Sequence, residues 1–284
     1  MTKHVKIYEV GPRDGLQNHK QIIPTKSKIA LIDALSDCGF SHIETTSFVS
    51  PKWVPQMADA VAVIGGIKRR IGTTYAALTP NMRGYHAAKG SNIDEVAIFG
   101  SASEGFSQKN INCSIEESFS RFIPILEQAK IDNCKVRGYI SCVTDCPYDG
   151  PADPAKVVEV ALRLLDMGCY EISLGDTIGA ATPNTTSKLI SLMLNYIPAK
   201  VLAGHFHDTN NRALDNIRVC LDAGIRTFDA SVGGLGGCPY AEGAKGNVET
   251  ATVVKMLHEL NFETGLDMNK LAEATEFAKQ LAEG

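Results

Sequence analysis

Eight times along this chain a short β-rich run gives way to a segment of helical period, and that alternation is the strongest constraint on its fold. The strands read as Val5–Val10, His42–Thr46, Arg70–Ala76, Glu95–Phe99, Lys135–Cys142, Tyr170–Leu174, Val201–His207 and Thr227–Val232. Helical periodicity follows them in segments such as Thr25–Cys38, Ile115–Ala129, Pro154–Met167, Pro183–Tyr196, Arg212–Ala223 and Val248–Leu257. A helix returning between consecutive strands makes the sheet parallel. Eight like units favour a closed sheet over an open doubly wound one, because closure gives every strand two neighbours and exposes no edge. The expectation is an α/β fold, a (β/α)8 TIM barrel. The helix-like stretch Asn269–Gly284 lies beyond the eighth unit and is read as an additional C-terminal helical segment, packed on the barrel or on another subunit.

Start and stop signals agree with these boundaries. Ser114 with Glu117 three residues on makes a capping box, and Gly39, Gly168 and Gly224 stand where helices should end. A length of 284 residues suits one such barrel, which runs to roughly 250 residues before insertions. With no low-complexity linker and no shift in composition, residues 1–284 read as a single catalytic domain.

Composition removes several classes of function. No apolar run approaches the roughly 20 residues needed to span a bilayer. The net charge is −4 with Lys and Arg scattered along the chain, so the basic stripe of a nucleic-acid-binding protein is missing. A small-molecule partner is expected. The start, Met1 to Lys6, passes directly into a strand, which predicts a cytoplasmic location. The eight cysteines are dispersed and read as reduced thiols. Cys142 and Cys146 lack the spacing of a structural zinc site.

In such a barrel chemistry gathers where strands end and βα loops begin. The first strand is followed by Gly11-Pro12-Arg13-Asp14-Gly15-Leu16-Gln17-Asn18, the second contains Glu44-Thr45-Thr46, and the sixth leads into Gly175-Asp176-Thr177. The seventh ends in His205-Phe206-His207-Asp208. A spacing of two puts both imidazoles on one face of a strand and turns Phe206 outward. A His-x-His pair taken alone is more often two hydrogen-bonded histidines than a metal site. Here Asp14 and Asn247 fall at strand ends on the same barrel face, and the four together make a mixed nitrogen and oxygen set for one cation. Such donors suit Mg²⁺ or Mn²⁺ first, with Zn²⁺ or Co²⁺ also possible. A glycine-rich loop, Gly233 to Gly246, holds Cys238 and leads to Asn247. It reads either as a mobile segment that brings a thiol over the site or as a flexible loop whose thiol is incidental.

These strings carry a resemblance. Glu9 to Asn18, Ile43 to Gln56, Ser173 to Gly179 and Gly236 to Ala241 resemble the corresponding segments of 3-hydroxy-3-methylglutaryl-CoA (HMG-CoA) lyases, and the likeness runs from Val5 to about Leu266. The motif Arg-Asp-Gly-x-Gln is shared with isopropylmalate and homocitrate synthases; the cysteine loop narrows the resemblance to the lyases. It implies metal ligands Asp14, His205, His207 and Asn247, an enolate-stabilising Arg13, the loop thiol Cys238, and Glu44, Asp176 and Tyr139 as further site residues. It also implies an acyl-CoA substrate, a divalent cation and a homodimer. The base would be Asp14 or a histidine such as His205, and Cys238 would return a proton to the enolate.

The chain departs from the family pattern in two places. Ala251 stands where an acidic residue is usual, and Glu249, two residues earlier, is turned by about 200° on a helix. Asn210-Asn211 replaces a Tyr-Gly pair. These differences keep three alternatives open: a lyase for a larger 3-hydroxyglutaryl-CoA, a Claisen-type synthase, and a non-catalytic acyl-CoA-binding barrel.

Overall fold

The computed structural model describes residues 3–236 and 245–283. Along the chain run β1 (Lys6–Glu9), β2 (His42–Ser47), β3 (Thr74–Leu78), β4 (Glu95–Ser101) and β5 (Lys135–Ser141). A small antiparallel hairpin follows, made of β6 (Asp145–Cys146) and β7 (Gly150–Pro151). Then come β8 (Glu171–Asp176), β9 (Leu202–Phe206) and β10 (Thr227–Ala230). All but the hairpin strands pair in parallel in one closed ring, and β10 returns to β1. The helices are α1 (Thr25–Asp37), α2 (Ala60–Gly66), α3 (Met82–Gly90), α4 (Glu104–Ile111), α5 (Ile115–Ile131), α6 (Pro154–Met167), α7 (Pro183–Met193), α8 (Ala213–Asp222), α9 (Thr250–Glu259) and α10 (Met268–Glu283). The fold is the expected (β/α)8 barrel with an added C-terminal helix. That helix packs on α1 and on the turn after β10, burying Leu271, Ala274 and Ala278.

Strand alternation divides the molecule into two environments. Ile7, Ile43, Val96, Ile98, Val136, Ile172 and Phe228 face outward and join the apolar sides of the helices in one large core. The inner face is polar: Glu44, Glu95, Arg137, Glu171 and Asp229 are all buried there. A barrel interior filled by aliphatic layers is the commoner solution. Here charge is neutralised in place, with Arg137 bonded to Glu171 at 2.8 Å and to both oxygens of Asp229 at 2.7 and 3.1 Å.

The capping box forms as expected, with Glu117 N–H donating to Ser114 Oγ at 3.0 Å and Ser114 N–H donating to the Glu117 carboxylate at 2.8 Å. Gly168 ends α6 at φ +117°, a conformation a side chain would disfavour. Most boundaries shift by one to three residues, and two of the shifts have a visible cause. The third strand is Thr74–Leu78 rather than Arg70–Ala76: Arg69 and Arg70 extend outward to Asp94 and Asp37, and the chain turns at Ile71–Gly72 before the ladder begins. The helix expected from Val248 starts at Thr250 because Val248 is tied by its backbone to Phe206 and Ser231.

Candidate active site

The turn after β1 is a π-helical one, Gly11–Gly15, in which Gly15 N–H reaches back to Val10 C=O at 3.2 Å. A widened turn of this kind is often found at functional sites, and here it sets Arg13 and Asp14 side by side at the barrel mouth. Gly15 is required by space, since a Cβ there would stand 2.7 Å from Leu235 Cβ. Behind the turn the buried Glu9 carboxylate accepts from Gly11 N–H and Val232 N–H, each at 2.8 Å, and from Thr250 Oγ1 at 2.7 Å. Burial nevertheless outweighs these donors and pushes its pKa up to about 7.

His205 and His207 lie on one face at the end of β9, ring centroids 5.5 Å apart, while Phe206 packs outward into the core. Asn247 reaches them through a backbone bridge to His207, supported by Asp208 N–H donating to Gly246 C=O at 2.7 Å. Its side-chain amide contacts Asp14 Oδ2 at 2.8 Å. Asp14, His205 and His207 each offer a ligand atom, and these atoms lie within 4.8 Å of one another. The residues singled out at the ends of the first and seventh strands and before α9 therefore meet in space.

Ligation needs an ionised carboxylate and neutral imidazoles; Asp14 and His207 meet this as they stand, whereas against its burial the hydrogen bond and charge of Asp229 raise the His205 pKa. Burial would raise the Asp14 carboxyl, but Arg13 and the two imidazoles more than reverse this and hold it near about 2. Burial, aided by His205, presses the His207 pKa down to about 4. Its buried Nδ1 has no hydrogen-bond partner among the described residues. His205 Nδ1 is engaged by Asp229 at 3.0 Å, and its Nε2 faces Asp14 Oδ2 at 4.0 Å. An orphaned imidazole nitrogen beside an ionised carboxylate fits a hard or borderline divalent cation.

Arg13 is held from behind. Its Nε donates to Glu44 at 2.6 Å, its Nη1 pairs with Asp14, and its guanidinium lies 5.5 Å from the Tyr139 ring centre. Tyr139 donates to the same Glu44 oxygen at 3.2 Å. Glu44 is thus a brace for Arg13 and Tyr139. Asp176 is placed differently: its carboxylate accepts from Ala180 and Ala181 N–H and from Thr144, fixing the loop after β8. Burial lifts its pKa to about 6. Cys238 lies outside the described residues.

The cavity over the site is about 850 Å³. Arg13, Asp14, Tyr139, His205, His207 and Asn247 form its polar side, and Leu78, Phe99, Phe106 and Ile111 contribute an apolar side. Glu249 does not reach it: the carboxylate accepts from Thr252 at 2.6 Å and faces Lys279 at 3.7 Å, while Ala251 packs on the core. Asn211 adopts φ +56°, so an asparagine serves at the position where the family pattern has glycine.

Three residues escaped the sequence reading: Arg137, Ser173 and Asp229, all buried behind His205. Their signal was present as charged or hydroxyl side chains inside strands of otherwise apolar character. Pairing them needed the barrel register, which sets Arg137 beside Glu171 and Asp229 beside His205.

Comparison with known proteins agrees with this geometry. The sequence matches the HMGL-like family over residues 4–278. The chain belongs to that family. It is 56% identical over 274 residues to a Pseudomonas aeruginosa protein named 3-hydroxy-3-isohexenylglutaryl-CoA/hydroxy-methylglutaryl-CoA lyase, covering 96% of this chain and 91% of the relative. It is 54% identical over 280 residues to the Homo sapiens mitochondrial hydroxymethylglutaryl-CoA lyase, covering 99% and 86%. The crystal structure of an HMG-CoA lyase from Brucella melitensis superposes with a TM-score of 0.98 at 57% identity, covering 99% of both chains. Among the described residues no helix is long and apolar enough to cross a membrane.

Proposed function

We propose that this member of the HMGL-like family is a divalent-metal-dependent carbon–carbon lyase that cleaves HMG-CoA to acetyl-CoA and acetoacetate. The observation that carries the reading is the convergence of Asp14, His205 and His207 within 4.8 Å beside Arg13. Asp14, His205, His207 and Asn247 would hold the cation, with Mg²⁺ or Mn²⁺ preferred by the donor set. Half a turn of the Asn247 amide would present oxygen in place of nitrogen. When bound, the cation supplies Lewis-acid stabilisation of the substrate's hydroxyl and carboxylate oxygens.

The chain's own residues manage the second charge. As the hydroxyl proton passes to Asp14 or a histidine, the C2–C3 bond breaks and the thioester half leaves as an enolate; Arg13 is permanently charged and braced for it, with Nε and Nη1 committed to Glu44 and Asp14. Its Nη2 is left to face the developing oxyanion. Asp14, ionised across the physiological range, orients the guanidinium from the cation side. On the resemblance alone, Cys238 is assigned the proton that quenches the enolate.

A second reading is favoured by the apolar side of the cavity. Leu78, Phe99, Phe106 and Ile111 would accept a longer branch at C3, and a relative at 56% identity carries an isohexenyl substrate in its name. Purified protein assayed with Mg²⁺ or Mn²⁺ on HMG-CoA and on a 3-isohexenyl analogue separates the two. Release of acetoacetate that stops on chelation and returns with metal is the expected result. Undiminished cleavage after exhaustive chelation, or none of either substrate with metal present, refutes the lyase reading.

A further inference from the structure

We propose that Asp229 is a positioning residue that fixes His205 as the tautomer protonated on Nδ1, leaving the Nε2 lone pair free for the cation. The inference rests on the reading of His205 as a ligand. Every contact of the Asp229 carboxylate points the same way. Oδ1 accepts from Arg137 Nη2 at 2.7 Å, and Oδ2 accepts from Arg137 Nη1 at 3.1 Å and from Ser173 Oγ at 2.7 Å. The same Oδ2 faces His205 Nδ1 at 3.0 Å. A carboxylate paired with a guanidinium is ionised and only accepts, so the ring nitrogen opposite it must donate. In the neutral ring Nε2 is then the nitrogen that carries the lone pair, and it is the one turned toward Asp14 at 4.0 Å.

Arg137 makes the arrangement rigid. It is fully buried, donates from Nε to Glu171 at 2.8 Å, and lies with its guanidinium carbon 4.0 Å from the Tyr8 ring centre. Neither Asp229 nor Arg137 lines the cavity, so neither touches substrate. Carboxylate partners of this kind, behind a ligating histidine, typically contribute 10–100-fold to metal affinity.

The tautomer is read first in the metal-free wild-type protein, by long-range ¹H–¹⁵N spectra of labelled histidines, with the His205 signals assigned through His205→Gln. A ring protonated on Nδ1 is expected; one protonated on Nε2 alone overturns the inference with no variant needed. Asp229→Asn then supplies the second arm. Arg137 will hold the amide oxygen, which turns the amide NH₂ toward His205 and selects the opposite tautomer, as an Asp to Asn change does behind a catalytic histidine. Mn²⁺ affinity measured by EPR is expected to fall about 10–100-fold. Unchanged affinity in Asp229→Asn overturns the inference while leaving the lyase reading intact. If the wild-type protein itself binds no Mn²⁺, the ligand assignment fails, and the positioning role falls with it.

Discussion

Arg13 is bonded to Glu44 behind it and to Asp14 beside it, so its place does not depend on a bound cation. Replacing it with Gln keeps a donor of similar reach but removes the charge that faces the enolate. Arg13→Gln is therefore expected to lower kcat by about 10²–10³-fold, the scale of losing one oxyanion donor, while Mn²⁺ affinity falls far less. Steady-state kinetics and Mn²⁺ EPR on the same preparation check this, and equal losses in both would count against the assigned role. At this scale the sequence was informative where residues needed for one site lay near strand ends, as Arg13, Asp14, His205 and His207 do, or just before a helix, as Asn247 does. For Asp176, at the end of β8, the sequence did not show that its carboxylate also holds the N–H groups of the loop that follows. Asp229 was silent for a different reason: a lone carboxylate in a strand gains its meaning only from the neighbour that the register supplies.

Among the elements, those with a local cause could be read and those with a tertiary cause could not. The capping box that opens α5 is local, and both of its hydrogen bonds form. Ser114→Ala removes the acceptor for Glu117 N–H at an exposed helix end, so a loss of about 1 kcal/mol is expected. Urea unfolding measures it. A stability equal to wild type would show that solvent replaces the cap at no cost. The π-turn after β1, by contrast, is set by Glu9, which gathers the N–H groups of Gly11 and Val232 from opposite ends of the chain. No window of sequence contains that relation. The late start of α9 has the same origin, since Val248 is held by Phe206 and Ser231 before the helix can begin.

For the whole molecule, the barrel interior separates two polar layers along its axis. The layer near Asp14, His205 and His207 sits at the strands' C-terminal ends, where barrels keep their chemistry. The other layer is built from the first residues of strands: Lys6, His42, Glu95, Glu171 and Thr227. Lys6 donates to Glu171 at 2.9 Å, Thr227 Oγ1 donates to the same oxygen at 3.2 Å, and Tyr8 donates to Glu95 at 2.8 Å. His42 stacks against Tyr8 in this layer, and burial, then the charge of Lys6, presses its pKa from 6.5 down to about 4. The sign of the consequence follows from proton counting. Between those two values the unfolded chain binds a proton at His42 that the folded chain refuses, so acid favours unfolding. The stabilising effect is complete above about pH 6.5 and is lost as the pH falls toward 4. A shift of this size corresponds to on the order of 3 kcal/mol. His42→Gln removes the titration, so its unfolding free energy should fall less steeply than that of the wild type between those limits. Its Mn²⁺ affinity and kcat should be unaltered, because the two layers share no ligand. Parallel pH profiles of the two proteins, from urea unfolding at matched ionic strength, would place the acid sensitivity elsewhere. A lowered kcat in His42→Gln would instead show that the layers are coupled, through Tyr8 and Arg137 and from there through Asp229 or Tyr139.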